Sequence, residues 1–105
     1  MTNNPRIVNV KISFKNTDAT EPIKNYATEK ITNSVHKFTH QNTDVHVVLR
    51  VEKNRQIAEA TFHADGADFV GREESDSLYS AIDSLAESLS NQLRKHKEKI
   101  TQHHP

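Results

Sequence analysis

The sequence contains no cysteine, which excludes disulfide bonds, thiolate metal sites and thiol catalysis. Its two glycines are too few for a glycine-rich loop that cradles phosphates. No stretch approaches the roughly 18 apolar residues of a membrane-spanning helix, and the first residues lack the apolar run of a signal peptide. We therefore expect a protein of a reducing cytoplasm with no membrane partner.

The chain has 105 residues, of which 33% are hydrophobic and 27% are charged. This length predicts a single domain, residues 1–105, and the composition predicts a thin core. The 14 basic and 14 acidic residues give a formal net charge of zero, so bulk charge alone does not indicate a nucleic-acid partner. The charges are nevertheless segregated, since residues 65–87 are mostly acidic and residues 94–99 are mostly basic.

The strongest pattern lies in residues 75–100, where apolar residues recur at steps of three, four or seven along one helix face. They are Leu78, Ile82, Leu85, Leu89, Leu93 and Ile100. No proline or glycine interrupts the run, and Ser75 or Asp76 is placed to cap its first amides. The pattern predicts one long amphipathic helix with basic final turns.

Period-two alternation predicts four strands ahead of this helix. Their apolar positions are Val8, Val10, Ile12 and Phe14; Val45, Val47, Leu49 and Val51; Ala58, Ala60, Phe62 and Ala64; and Phe69 within a short strand over 67–73. After the first strand, a helix capped by Thr20 presents Ile23, Tyr26, Ala27, Ile31, Val35 and Phe38 on one face. Lys53-Asn54-Arg55 and Asp65-Gly66 are expected to form hairpin turns.

The predicted fold is therefore α+β in the order β-α-β-β-β-α. Its first two strands are joined by a helical crossover and should pair in parallel, whereas the hairpins make the other pairs antiparallel. Each strand has one apolar side, which predicts a four-stranded mixed sheet with two helices packed on one face.

Basic side chains on both helices are the main candidates for a binding surface. On the first helix they are Lys24, Lys30 and Lys37, and on the second they are Arg94, Lys95, Lys97 and Lys99. Such cations can bind RNA phosphates with release of condensed counterions, and we place Lys30 and Lys95 along one groove between the helices. The alternative is that the cations of the second helix only complement its dipole. Weaker candidates are Arg50, Lys53, Arg55 and Arg72.

No nucleophile, base and orienting residue can be named as a set, so the chain is not predicted to be an enzyme. His36 and His40 lie four residues apart but lack a third ligand, and His103 and His104 are placed on a ragged end; no metal or cofactor is predicted. Tyr26 and Tyr79 could stack on nucleobases, but their positions beside the apolar stripes favour core packing with the hydroxyl at the rim.

Four segments carry a resemblance to a known family. They are Val47-Val48-Leu49-Arg50-Val51-Glu52-Lys53, Ala60-Thr61-Phe62-His63, Leu78-Tyr79-Ser80-Ala81-Ile82-Asp83 and Gln92-Leu93-Arg94-Lys95-His96-Lys97-Glu98-Lys99. The chain resembles the short ribosome hibernation promoting factors of bacteria, relatives of ribosome-associated inhibitor A in the sigma factor modulation protein family. The resemblance extends over nearly the whole chain and implies the same order of strands and helices.

The resemblance implies a non-catalytic factor of stress or stationary phase that binds the small ribosomal subunit between its head and body. There it would contact ribosomal RNA in the channel for transfer RNA and messenger RNA, block translation and promote inactive ribosome dimers. By analogy, a separate ribosome modulation factor is a further expected partner. We expect a cytoplasmic short form that lacks the C-terminal dimerisation domain of the long members and is monomeric off the ribosome.

Two positions depart from the family pattern on the side of the long helix that holds Lys95. Family members usually carry a lysine where this chain has Ser88 and an arginine where it has Asn91. The basic face of this helix is therefore thinner than the resemblance implies.

A second hypothesis belongs to a different class. The acidic region 65–87 could dock a basic protein partner, which would make the chain a protein-interaction module. Binding of RNA should survive neutralisation of Glu73, Glu74 and Asp76, whereas docking of a basic protein should not.

Overall fold

The computed structural model describes residues 7–101, with side chains described as far as residue 99. Its elements are β1 (Val8–Lys15), α1 (Glu21–His36), β2 (Thr43–Glu52), β3 (Arg55–Ala64), β4 (Ala67–Ser75) and α2 (Leu78–Thr101). This is the predicted α+β order. Two predictions, the place of Ile100 in the apolar stripe and the ragged end at His103 and His104, fall outside the described side chains.

The four strands form one sheet in the order β1-β2-β3-β4. β1 and β2 pair in parallel, and the two following pairs are antiparallel, as predicted. The turn Asp65-Gly66 has positive φ at both residues, +52° and +76°, which is the backbone that a two-residue hairpin needs. The β2–β3 turn consists of Lys53 and Asn54, since Arg55 already belongs to β3.

Both helices cover the same face of the sheet. The predicted inner positions of β2 and β3 are buried except Val51, which is half-buried near the end of β2. The buried positions form one core with Ile31 and Val35 of α1 and with the stripe of α2. Val8, Val10, Ile12 and Phe14 of the edge strand β1 are only partly buried against this core. Of the predicted α2 stripe, Leu78, Ile82, Leu85, Leu89 and Leu93 are all buried.

A glycine allows α2 to approach the sheet closely. A Cβ added at Gly71 in β4 would stand 2.8 Å from a methyl carbon of Leu85 and 3.0 Å from one of Leu89. Because atoms at such distances overlap, a larger residue at this position would force the ends of the Leu85 and Leu89 side chains to shift. The present packing of these two leucines therefore uses the space left by the absence of a side chain at position 71.

The two helices begin differently from what the sequence indicated. At α2 the hydroxyl of Ser77 accepts a hydrogen bond from the Ser80 amide at 3.1 Å, so the predicted cap at Ser75 or Asp76 is wrong. The reason is that β4 runs two residues beyond the predicted end and includes Ser75. At α1, Thr20 occupies the cap position with extended backbone, but its side chain makes no capping bond.

Within residues 7–101, neither helix is long and apolar enough to span a membrane.

Replacing Leu89 by alanine tests the buried face of α2. Leu89 is fully buried, so the cavity left by this change should lower the free energy of unfolding by about 2–5 kcal/mol. The matched control is Asn91→Ala, an exposed position of the same helix, which should change it by less than about 0.5 kcal/mol. Urea denaturation measures both, and equal effects would show that the stripe is misplaced.

Candidate nucleic-acid interface

The two helices lie side by side and run in the same direction. Contacts between them advance along both chains together, from Tyr26 against Asp83, through Ser34 against Ser90, to His40 against Lys97. The C-terminal ends of α1 and α2 are therefore at the same end of the molecule. Both ends carry the negative pole of a helix dipole, which favours cations there.

A buried serine joins the helices near their middle. The hydroxyl of Ser34 in α1 donates to the Ala86 carbonyl of α2 at 2.5 Å and lies 2.6 Å from the hydroxyl of Ser90. Small side chains at this seam let the two backbones come close, and the hydrogen bonds fix how far one helix can slide along the other. The sequence patterns gave no indication of this contact, since Ser34 stands within the apolar stripe of α1.

Near the start of α2 the helices share a cluster of two tyrosines, a lysine and a carboxylate. The Tyr26 hydroxyl donates to Asp83 Oδ1 at 2.5 Å, and Lys30 Nζ lies 3.5 Å from the same oxygen. Lys30 Nζ is also 5.6 Å from the centre of the Tyr26 ring. The ring of Tyr79 meets the Tyr26 ring edge to face, with centroids 4.9 Å apart. The hydrogen bond to Asp83, then burial and the nearby negative charge, raise the pKa of Tyr26 above its ordinary value.

The predicted RNA-binding residues of α1 are exposed and lie at different heights along the helix. Lys24 is in the first turns, 4.0 Å from Glu21, and Lys30 is in the tyrosine cluster. Lys37 occupies the C-terminal cap position of α1, at the end of the molecule where α2 is also basic.

The predicted residues of α2 gather in its last turns. Lys97 Nζ donates to His40 Nε2 at 3.0 Å, which ties the end of α2 to the loop after α1. Arg94 lies 3.9 Å from Glu98, one turn further along, and Lys99 is exposed in the last turn. With Lys37, these side chains make the shared C-terminal end of the helices the most basic part of this layer.

Lys95 lies on another side of α2 from Lys30. It lines an open hollow of about 400 Å³ with Ser88, Asn91, Gln92 and residues that include Glu73 of β4. The side chain of Gln92 donates to the Val70 carbonyl at 3.0 Å, which confirms that this side of α2 faces β4. Ser88 and Asn91 do share the side of Lys95, as the sequence predicted.

The prediction of one groove lined by Lys30 and Lys95 is wrong. Lys30 pairs with Asp83 of α2, and the 12 positions from Asp83 to Lys95 correspond to about 120° around a helix of 3.6 residues per turn. An exposed ridge of α2 separates the two lysines; its members are Glu87, Asn91, Arg94 and Glu98. The basic residues therefore lie on different sides of the two-helix layer.

Of the weaker candidates, Lys53 is exposed in the β2–β3 turn. The other three, Arg50, Arg55 and Arg72, lie on the opposite face of the sheet, where three arginines and three glutamates form a closed ring. The six ion pairs, 3.1–3.7 Å long, join Glu52, Arg50, Glu59, Arg72, Glu74 and Arg55 in that order and return to Glu52. The ring surrounds Ile57, which is fully buried on this face. Each arginine already contacts two carboxylates, so this face is balanced in charge.

Several acids of the region 65–87 also have partners within the domain. Asp68 lies 2.8 Å from His63, Glu74 belongs to the ring, and Asp83 is held by Tyr26 and Lys30. The acidic region is therefore divided between the sheet face and the helix layer and does not form one surface. Among residues 7–101, no three histidine or acidic side chains gather as a metal site requires.

Comparison with protein families gives one match. The family model described as "Sigma 54 modulation protein / S30EA ribosomal protein" matches residues 10–101. Among curated proteins, the chain is 40% identical to the ribosome hibernation promoting factor of Pseudomonas putida, over 86% of this chain and 87% of that protein. It is 43% identical to the protein of the same name from Azotobacter vinelandii, over 86% and 83%, and 36% identical to that of Escherichia coli, over 90% and 98%.

Solved structures show the same fold at lower identity. The N-terminal domain of Thermus thermophilus Protein Y matches with a TM-score of 0.76 and 22% identity, covering 84% of this chain and 98% of that one. A ribosomal subunit interface protein from Coxiella burnetii matches with a TM-score of 0.70 and 21% identity, covering 83% and 97%. At this identity the likeness establishes the fold alone.

The tyrosine cluster predicts an alkaline titration that depends on Asp83. Since the pKa of Tyr26 is raised in the folded state, its contribution to stability is complete below the ordinary tyrosine pKa of about 10 and is lost as pH rises through the raised value. Asp83→Ala should lower the pKa of Tyr26 toward the ordinary value. The ultraviolet absorbance of ionised tyrosine measures this, and Tyr26→Phe identifies which of the two tyrosines titrates. An unchanged titration in Asp83→Ala would contradict the assigned hydrogen bond.

Proposed function

Since the chain belongs to the Sigma 54 modulation protein / S30EA ribosomal protein family, we propose that it is a ribosome hibernation factor whose helix layer binds small-subunit ribosomal RNA. It occupies the channel for transfer RNA and messenger RNA, blocks translation there and promotes inactive ribosome dimers under stress or in stationary phase. It acts in the cytoplasm, is monomeric off the ribosome, and has a ribosome modulation factor as a further partner. Membership of this family agrees with the prediction that the chain is not an enzyme.

The observation that carries this proposal is the parallel pairing of the helices. It brings the basic ends of α1 and α2 to one end of the domain, where the side chains of Lys37, Arg94, Lys97 and Lys99 are concentrated. Lys24, Lys30 and Lys95 extend this surface across the layer. Cations spread over several sides of the layer suit a folded RNA that presents more than one stretch of backbone, and their phosphate contacts position the protein without reading sequence.

The sheet face is the less suitable surface for RNA. Arg50, Arg55 and Arg72 each contact two carboxylates of the ring, both of which compete with a phosphate. In the helix layer, the ion pairs of Lys24, Lys30 and Arg94 are with one carboxylate each. The second hypothesis, a module that docks a basic protein, is disfavoured for a similar reason. Glu74 and Asp83 are already paired, so a basic partner would have to break contacts within the domain.

Reversing the charge of one lysine on each helix tests whether the helix layer binds the ribosome. Lys30→Glu and Lys95→Glu should each weaken binding to ribosomes, since both positions are exposed and belong to the helix layer. The corresponding alanine variants should reduce the slope of log affinity against log salt by about one unit or less per lost contact. Filter binding to purified small subunits over a salt series gives both quantities, with circular dichroism as the check on folding.

The matched control is Lys11→Glu, which makes the same change of charge on the opposite face of the sheet, next to His46. This variant should bind nearly as well as the unaltered protein. Equal weakening by all three glutamate variants would indicate attraction by net charge alone and would remove the helix layer from the proposal. Tighter binding by the variants of the helix layer would instead favour a basic protein partner.

The hollow beside Lys95 gives a test by gain of function. Ser88→Lys with Asn91→Arg places two cations at positions that line the hollow, on the side of α2 that already holds Lys95. If this side of α2 contacts phosphates, the double variant should bind ribosomes more tightly and increase the salt slope by about two units or less. The control variant places the same two cations on the sheet face, as Asn9→Lys with Ser13→Arg. No gain over that control would exclude this side of α2 from the interface.

A further inference from the structure

Tyr79 is exposed, although it lies at the start of α2 directly beside the buried apolar stripe of this helix. Its exposed fraction is 41%, and only Ile7 and Val70 share this property among the large hydrophobic residues of the described part of the chain. The expectation of core packing is therefore confirmed for Tyr26 and wrong for Tyr79. Tyr26 is half-buried with its hydroxyl at the rim, whereas Tyr79 presents much of its ring to solvent.

The exposed ring is held in place from one side. Tyr26 meets it edge to face at 4.9 Å, with an angle of 71° between the ring planes. Tyr26 is itself fixed by its hydrogen bond to Asp83, which lies one turn along α2 from Tyr79. A ring supported in this way loses little conformational freedom when a flat ligand stacks on it.

A cation belongs to the same cluster as this ring. Lys30 Nζ lies 5.6 Å from the centroid of the Tyr26 ring, on which Tyr79 packs, and 3.5 Å from Asp83, and the lysine side chain is 47% exposed. An exposed aromatic ring and a solvent-accessible ammonium group within one cluster form a combination that binds one nucleotide of an unpaired strand. The ring stacks on the base and the cation contacts the phosphate.

We propose that Tyr79 stacks on an unpaired nucleobase of the bound RNA while Lys30 contacts the phosphate beside it. This inference rests on the proposed function and adds that the RNA bound at the start of the helix layer is unpaired. That end of the layer binds a base turned out of its helix or in a single-stranded segment, while the basic C-terminal end binds phosphates alone. Stacking does not depend on charge, so loss of the Tyr79 ring and loss of a cation should have different effects on the salt dependence of binding.

The test compares three substitutions of Tyr79 in binding to purified small ribosomal subunits. Tyr79→Ala and Tyr79→Leu remove the flat ring, the second with apolar bulk and helix propensity retained, and should weaken binding by about 5- to 150-fold, as the loss of one stacked base does. Tyr79→Phe keeps the ring and should bind within about twofold of the unaltered protein. The slope of affinity against salt should stay the same in all three, whereas Lys30→Ala should reduce it by about one unit or less.

Val70→Ala is the control, because Val70 is an exposed apolar residue on the sheet face and its loss should leave affinity unchanged. If the unaltered protein binds but Tyr79→Leu binds equally well, the stacking contact is wrong and the proposed function stands. Weakening by Tyr79→Phe as strong as that by Tyr79→Leu would also overturn stacking, since it would assign the effect to the hydroxyl. If the unaltered protein does not bind small subunits, the proposed function and this inference both fail.

Discussion

The close approach of α2 to β4 at Gly71 is the constraint on which the rest of this structure depends. Leu85 and Leu89 pack into the space left at position 71, and a Cβ there would force the ends of both side chains to shift. With α2 seated over β3 and β4, the remaining part of the same face is covered by α1, and Ser34 joins the two helices through Ala86 and Ser90. The parallel helix layer and its basic end follow from this packing.

The same packing leaves the two faces of the domain with different electrostatic roles. The sheet face is open to solvent, and its arginines and glutamates neutralise one another in a ring around the buried Ile57. The helix layer has cations at the shared C-terminal end, where helix dipoles favour them. A chain with a formal net charge of zero can in this way offer one basic surface to an anionic partner.

Periodicity predicted the order and type of all six elements because each of them has one apolar side. It could not predict how the helices meet side by side, since that depends on Ser34, a polar residue within an apolar stripe. For the same reason the prediction of one groove for Lys30 and Lys95 is wrong: the pattern within each helix carries no information on the rotation of α2 against α1. The burial of Ile57 on the polar face was also missed, because it depends on long arginine and glutamate side chains from three strands.

Residue type alone predicts that the cations form the candidate site, but only the structure shows which residues they contact. The position of Asp83, a carboxylate one turn after Tyr79 and near the inner stripe, is visible in the sequence. Its contacts with Tyr26 and Lys30 are not, because they join residues more than 50 positions apart. The cap of α2 was misplaced for a simpler reason. Three consecutive polar residues, Ser75, Asp76 and Ser77, are of types that cap helices. β4 includes Ser75, and the hydrogen bond from the Ser80 amide identifies Ser77 as the cap.

The most direct test of this account is sedimentation of the protein with separated ribosomal subunits at low and high salt. The account predicts that the protein travels with the small subunit at low salt, is absent from the large subunit, and returns to the top of the gradient as salt is raised. A protein that stays at the top with both subunits at low salt would contradict ribosome binding through the helix layer.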